Sequence, residues 1–144
     1  MKYLDLDKEV CKKYQFESLK SLIEEKGIAF FREAENETLH SLDLENSVLA
    51  TGGGTPCYYN NMDWLKKNGT VIFLNMSEEK LFERLSKTNL SERPLLKNLD
   101  ARGLKNFIHE KLQERMKFYS KAEIIFDTDK NSVNDLVALL CKSA

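Results

Sequence analysis

The residue types that could do chemistry stand in a few short stretches of the chain. Asp5 and Asp7 close a short apolar run, Lys2 to Leu6. If that run is a strand, alternation puts both carboxylates on one face and Leu4 and Leu6 on the other. Two carboxylates side by side at a strand end suit a metal-bound water and a hydroxyl that must be polarised. Asp7 serves equally well as the N-cap of a following helix. Gly52-Gly53-Gly54 follows directly on Val48-Leu49-Ala50-Thr51. A buried strand, Ser47 to Thr51, would run there into backbone N–H groups with no side chain in the way. In an open α/β sheet, ligands sit beyond such strand ends. A tight glycine turn is the alternative. Arg32 stands beside Phe30 and Phe31, with Glu35 three residues on. The two read either as an i, i+3 surface pair or as a two-pronged receptor for a carboxylate. Arg115 interrupts an apolar stripe of Leu104, Phe107, Ile108, Leu112 and Tyr119. A charge buried there is costly unless paired, which favours a site residue over a snorkelling one.

These residues need elements to position them, and the hydrophobic pattern supplies candidates. Asp7 to Lys26 reads as two short helices broken near Gln15, with Gly27 as punctuation. Ile28 to Leu42 reads as an amphipathic helix with Ile28, Phe31, Ala34, Thr38 and Leu42 along one side. Tyr58 to Lys67 reads as a helix ending at Asn68-Gly69. Thr70 to Met76 and Glu123 to Thr128 read as buried strands, apolar enough for a parallel sheet covered on both faces. Ser77 caps the helix carrying Leu81, Phe82 and Leu85. The polar stretch from Ser86 to Asp100 has no steady period and suggests a functional loop such as a lid. Ala101 to Ala122 reads as one long helix, and Ser132-x-x-Asp135 caps a terminal one with Val133, Leu136, Val137 and Leu140. Strands alternating with helices imply a three-layer α/β fold.

Bulk properties remove other classes. The chain has 144 residues, the size of one domain. Lys and Arg number 22 against 23 Asp and Glu, a net charge of -1 that offers no basic excess for nucleic acid or an acidic membrane. Met1 to Asp5 lacks the apolar segment of a secretory signal, and no apolar run is long enough for a membrane span. Cys11, Cys57 and Cys141 are odd in number and widely spaced, which fits reduced thiols in a cytoplasmic protein. Cys57 is expected to serve packing. His40 and His109 stand alone and are expected to be surface residues without a chemical role.

Taken in order, Asp5-x-Asp7, Phe31-Arg32-x-x-Glu35, Ala50-Thr51-Gly52-Gly53-Gly54, Arg93-Pro94-Leu95-Leu96 and Arg115-x-x-x-Tyr119 make the chain resemble the shikimate kinases, of the P-loop kinase superfamily. The resemblance covers essentially the whole chain, and gluconate-type kinases match less well. It implies a single domain over residues 1–144 with a lid at about 86–100. It also implies transfer of a phosphoryl group from ATP, with Mg2+, to the shikimate 3-hydroxyl in aromatic amino-acid biosynthesis. Carried over by position, Asp7 holds the accepting hydroxyl and acts as its base, and Asp5 faces magnesium through water. Arg32 and Arg115 clamp the shikimate carboxylate, while Gly53 and Gly54 bring backbone N–H groups to the substrate. Arg93 reaches the ATP phosphates from the lid. Lys130, after the Asp127-Thr128-Asp129 turn, falls where the family often has a basic residue beside the adenine.

One departure stands out. Members of that family begin with a strand, a Gly-x-x-x-x-Gly-Lys-[Ser/Thr] loop and a helix, and none of the six glycines here is followed by Lys and then Ser or Thr. The first residues match the family's second strand, so about thirty residues, one strand–loop–helix piece, are expected to be missing. The absent strand is central in the family's sheet, which would leave two strand edges facing a gap. The expectation is a monomeric-type kinase chain with little activity on its own. Its alternatives are a non-catalytic shikimate-binding module, or a chain completed by a partner or a swapped dimer.

Overall fold

Strand β1 (Lys2–Asp5) ends where Asp5 turns its carboxylate back on the chain. Asp5 Oδ1 accepts from the backbone N–H of Asp7 at 3.1 Å and of Lys8 at 3.4 Å, and so caps α1 (Leu6–Tyr14). The structure is a computed structural model and describes residues 1–88, 96 and 98–143. The chain is α/β, mostly helical, with parallel strands, and it divides into two compact units, Met1–Asn68 and Gly69–Ala144.

In the first unit, α1 ends at Gln15, whose φ of 60° is left-handed, and Ser18 opens α2 (Leu19–Ser41) with a reciprocal Ser18–Ser21 capping box. Gly27 interrupts α2 at φ 86°, ψ 165°, a conformation that glycine adopts without Cβ strain. The core gathers Leu6 and Val10 from α1 with Leu22, Phe31, Ala34 and Leu39 from α2. After that helical crossover, β2 (Ser47–Ala50) pairs parallel with β1, from Lys2 against Ser47 to Asp5 against Ala50. This register brings the Asp5 end of β1 level with the strand end that feeds the glycine turn. A 3-10 turn (Thr55–Cys57) carrying Pro56 follows, then α3 (Asn61–Asn68).

In the second unit, β3 (Ile72–Asn75) and β4 (Ile124–Asp127) pair parallel, from Ile72 against Ile124 to Asn75 against Asp127. Ser77 caps α4 (Glu78–Ser86) and Asp100 caps α5 (Ala101–Tyr119). These helices pack through Leu81, Phe82, Leu85, Leu104, Ile108 and Leu112, with Leu96 buried among them. Ser132 and Asp135 cap α6 (Val133–Ser143) reciprocally.

Several expectations need correction. Asp7 is not on the strand beside Asp5: the chain turns helical at Leu6, Asp5 is the cap, and Asp7 lies in the first turn of α1. The helix expected from Tyr58 begins at Asn61, because Tyr59 and Asn60 hold φ of 50° and 57° and cannot continue a right-handed turn. Ile28 is exposed, and Glu35 takes a buried place on that helix face. The apolar strands are not covered on both faces. Leu74 and Ile125 are each 55% exposed, in a sheet that pairs only β3 with β4 among the described residues. The apolar face of α6 is open too, with Val133 at 76% and Val137 at 52%.

Candidate active site

The first unit assembles its site from the start of α1, the middle of α2 and the turn after β2. Arg32 and Glu35 are one helical turn apart on α2, and Arg32 Nη1 donates to Glu35 Oε2 at 2.8 Å. Glu35 is 1% exposed, so this is not a surface pair. Thr55, fully buried, donates its hydroxyl to the other oxygen, Glu35 Oε1, at 2.6 Å. A buried carboxylate satisfied from two sides is fixed in orientation, and it fixes the guanidinium in turn. Aromatic rings hold that guanidinium as well: Arg32 Cζ lies 4.9 Å from the centre of Phe31 and 4.7 Å from that of Tyr58. Arg32 Nε is buried and has no hydrogen-bond partner among the described residues. A pinned guanidinium with an unsatisfied N–H can take an acceptor such as a carboxylate oxygen.

The glycine turn closes on these groups. Thr55 N donates to Gly52 O at 3.1 Å, and Cys57 N to Gly54 O at 2.9 Å. A Cβ at Gly54 would lie 2.5 Å from Arg32 Nη2 and 2.7 Å from Cζ, so glycine is required for the turn to pass the guanidinium. A Cβ at Gly52 would lie 3.4 Å from Glu35 Oε1, 3.5 Å from Asp7 Oδ1 and 3.5 Å from Thr55 Oγ1. Gly52 therefore sits where the Asp7 and Glu35 carboxylates converge. The pKa of Asp7 is raised, first by burial, then by the neighbouring charges of Asp5 and Glu35, against a lowering by Arg32. A carboxylate held above its ordinary range next to a pinned cation is suited to accept a proton from a bound hydroxyl.

Asp7, Arg32 and Gly54 are thus brought together, with Asp5 alongside as the helix cap. Gly53 belongs to the same turn, and its carbonyl faces Cys57 Sγ at 3.8 Å. Arg115 and Lys130 belong to the second unit. Arg115 is half-buried on α5. Lys130 is exposed, its Nζ 3.0 Å from Asp127 Oδ2, and that bond raises its pKa. Arg93 lies outside the described residues, as does most of the loop expected to be a lid. Among the described residues no group of three His, Cys, Asp or Glu side chains could hold a metal ion by itself.

Sequence reasoning passed over Thr55, Tyr58 and Asn61, and set His40 aside as a surface residue without a chemical role. Asn61 is fully buried and donates Nδ2 to Thr55 O at 3.1 Å. Its Oδ1 can only accept, so His40 Nε2 donates to it at 3.3 Å, and the His40 ring stacks on Trp64 with centroids 4.7 Å apart. The burial of Glu35 did have a signal: it falls within the stripe of Phe31, Ala34 and Thr38.

Comparison with known proteins gives this geometry a family context. The profile of a family described as shikimate kinase matches residues 1–143. A shikimate kinase of Bacteroides thetaiotaomicron is 36% identical over 129 residues, 89% of this chain and 73% of that protein. One of Parabacteroides distasonis is 35% identical, over 99% of this chain and 84% of that protein. Among solved structures, a shikimate kinase from Bacteroides thetaiotaomicron superposes with a TM-score of 0.86 at 34% identity, covering 97% of this chain and 84% of that one. A shikimate kinase from Acinetobacter baumannii in complex with shikimate superposes with a TM-score of 0.83 at 26% identity, over 98% of this chain and 76% of that one.

Proposed function

The chain belongs to the shikimate kinase family, and from that premise we propose that its first unit binds shikimate and presents the 3-hydroxyl for phosphorylation by ATP. The observation that carries the proposal is the Arg32 guanidinium. It is tied to buried Glu35, lies against Phe31 and Tyr58, passes Gly54 with Nη2, keeps an unsatisfied Nε, and acts electrostatically on the Asp7 carboxylate. Arg32 receives the shikimate carboxylate, with Gly53 and Gly54 as the backbone wall. Asp7 takes the proton of the accepting hydroxyl. The hydroxyl oxygen forms its bond to the γ-phosphorus as the bond to the bridging oxygen breaks, leaving ADP.

Magnesium bound with ATP supplies charge neutralisation on the phosphates. Asp5 has one oxygen on the α1 backbone and the other 3.9 Å from the exposed Lys8 amine. That second oxygen fits the task of holding a water of an ion that keeps several of its waters. Arg93 and Lys130 serve the nucleotide in this reading, and the Lys130 amine must leave Asp127 to do so. In this reading residues 1–144 act as one catalytic domain in the cytoplasm. Cys11, Cys57 and Cys141 form no disulfide. No helix among the described residues is long and apolar enough to cross a membrane.

A polypeptide of these 144 residues alone is expected to turn over slowly. It contains no Gly-x-x-x-x-Gly-Lys-[Ser/Thr] stretch to cradle phosphates, and positioning accounts for about 7–11 kcal/mol of such a barrier. The deciding experiment is ADP release dependent on shikimate and ATP, measured on these residues and on the same chain preceded by a family-like strand and phosphate loop. Turnover on the order of 1–100 s⁻¹ is expected only from the longer chain. No turnover from either would remove the catalytic reading and leave a shikimate-binding module. Fast turnover from the shorter chain would show that another group holds the phosphates. A second reading, a chain completed by a partner or by a second copy, is favoured by exposed Leu74, Ile125, Val133 and Val137. Elution as an oligomer in size-exclusion chromatography would support it.

A further inference from the structure

The Arg32 receptor is continuous with a line of hydrogen bonds running away from it across three elements. Glu35 Oε2 holds Arg32 at 2.8 Å, and Glu35 Oε1 is held by the Thr55 hydroxyl at 2.6 Å. The Thr55 carbonyl is held by Asn61 Nδ2 at 3.1 Å, and Asn61 Oδ1 by His40 Nε2 at 3.3 Å. Glu35, Thr55 and Asn61 are each at most 1% exposed. Buried polar groups of this kind have no water to fall back on, so each orientation is set by its neighbour. The Thr55 carbonyl can only accept, which fixes the Asn61 amide with Nδ2 toward it and Oδ1 toward His40 Nε2, whose ring is stacked on Trp64. The backbone adds a constraint at the join: Tyr59 and Asn60, between the Thr55 turn and α3, are both left-handed. Two consecutive non-glycine residues there persist only where their surroundings hold them.

We propose that Thr55 and Asn61 are positioning residues. The Thr55 hydroxyl sets the rotation of the Glu35 carboxylate and through it the Arg32 guanidinium. Asn61, locked by His40, holds Thr55 and the glycine turn at the height where Gly54 passes Arg32. Neither residue touches substrate in this assignment. The consequence for ligand binding rests on the reading of Arg32 as the carboxylate receptor, while the effect on Arg32 itself does not.

The test uses the full chain with 15N labelling. The Arg32 Nε–Hε resonance reports the guanidinium with no ligand present, and titration with shikimate reports the receptor. Thr55→Val keeps the branched shape and removes the donor. It is expected to shift the Arg32 resonance and to weaken the shikimate response about tenfold, the order of a hydrogen bond to a charged group. Thr55→Ser, which restores the hydroxyl, is expected to return both toward the parent. Asn61→Asp, which replaces the amide donor by an acceptor, is expected to shift the same resonance, and it decides the matter if Thr55→Val fails to fold. An Arg32 resonance unmoved in a folded Thr55→Val or Asn61→Asp chain overturns the proposal. A resonance that moves as expected, in a parent that shows no response to shikimate, upholds the positioning role and removes the carboxylate-receptor reading instead.

Discussion

Both units carry exposed ion pairs, Lys2 with Asp43 in one and Lys130 with Asp127 in the other, but among the described residues only the first also buries charge. In Met1–Asn68, charge and polarity go inside: Glu35, Thr38, Thr55 and Asn61 are all buried, and they are the only buried polar side chains among the described residues. In Gly69–Ala144, no polar side chain is buried among the described residues, and the ion pairs are exposed or half-buried, Lys80 with Asp129, Lys130 with Asp127 and Lys111 with Glu114. Exposed pairs are screened and remake easily. A buried network has one satisfied arrangement and loses heavily when a member is removed. The first unit is therefore built to hold a group still, and the second to let its cations exchange partners.

Five substitutions would break or sharpen this contrast. The largest effect belongs to Glu35→Ala, which strands a mostly buried guanidinium. Urea unfolding is expected to show a loss of about 3 kcal/mol, and a loss no bigger than that of a typical surface change would erase the contrast. Gly54→Ala comes next, since the added methyl must displace a guanidinium pinned on three sides. The expected loss is on the order of 1–3 kcal/mol, together with a moved Arg32 side-chain resonance. Gly52→Ala, at ordinary contact distances, should cost less.

Asp7→Asn runs the other way. The folded-state pKa of Asp7 is raised, so its favourable contribution is present below the unfolded carboxylate pKa and is lost as pH rises through the folded one. At neutral pH the ionised Asp7 weakens the fold. Asp7→Asn should raise the melting midpoint on the order of 1–3 °C and flatten its acid-side pH dependence, while removing the proton acceptor. A midpoint that falls in the variant would show that the site does not strain its carboxylate. The smallest effect is expected in the second unit, where Glu114→Gln removes an exposed partner of Lys111 and should leave the urea midpoint unmoved.

A separate pH signature belongs to the first unit alone. The Tyr14 hydroxyl donates to Glu37 at 2.6 Å, which pushes its pKa up to about 12. The stability it lends is present below the ordinary tyrosine range and fades as pH rises from about 10 to about 12. Tyr14→Phe should abolish that alkaline decline, as followed by circular dichroism against pH.

What could be read from the sequence was local. The break at Gln15, the punctuation at Gly27, the Ser77 cap and the Ser132–Asp135 box each depend on a few adjacent residues, and each is present. Asp7, Arg32 and Gly54 drew notice from their neighbours in sequence, Asp5, the Phe30–Phe31 pair and the adjoining glycines, and the structure brings the three together. The start of α3 was not legible, since nothing in the types Tyr59 and Asn60 demands two left-handed residues in succession. The roles of Thr55, Asn61 and His40 depend on contacts between residues far apart in sequence, for which no spacing rule exists. Glu35 is the instructive case. A carboxylate within an apolar helical stripe warrants the same suspicion as Arg115 on its stripe, yet a ready i, i+3 partner made it look like surface.

The stack of His40 on Trp64 has a use beyond geometry. The chain has a single tryptophan, and it lies in Met1–Asn68. An emission melt therefore follows that half of the molecule alone, while far-ultraviolet ellipticity follows helices on both halves. If the two curves coincide, the halves lose their structure as one cooperative body. If they separate, the gap between their midpoints measures how much thermal independence each half has.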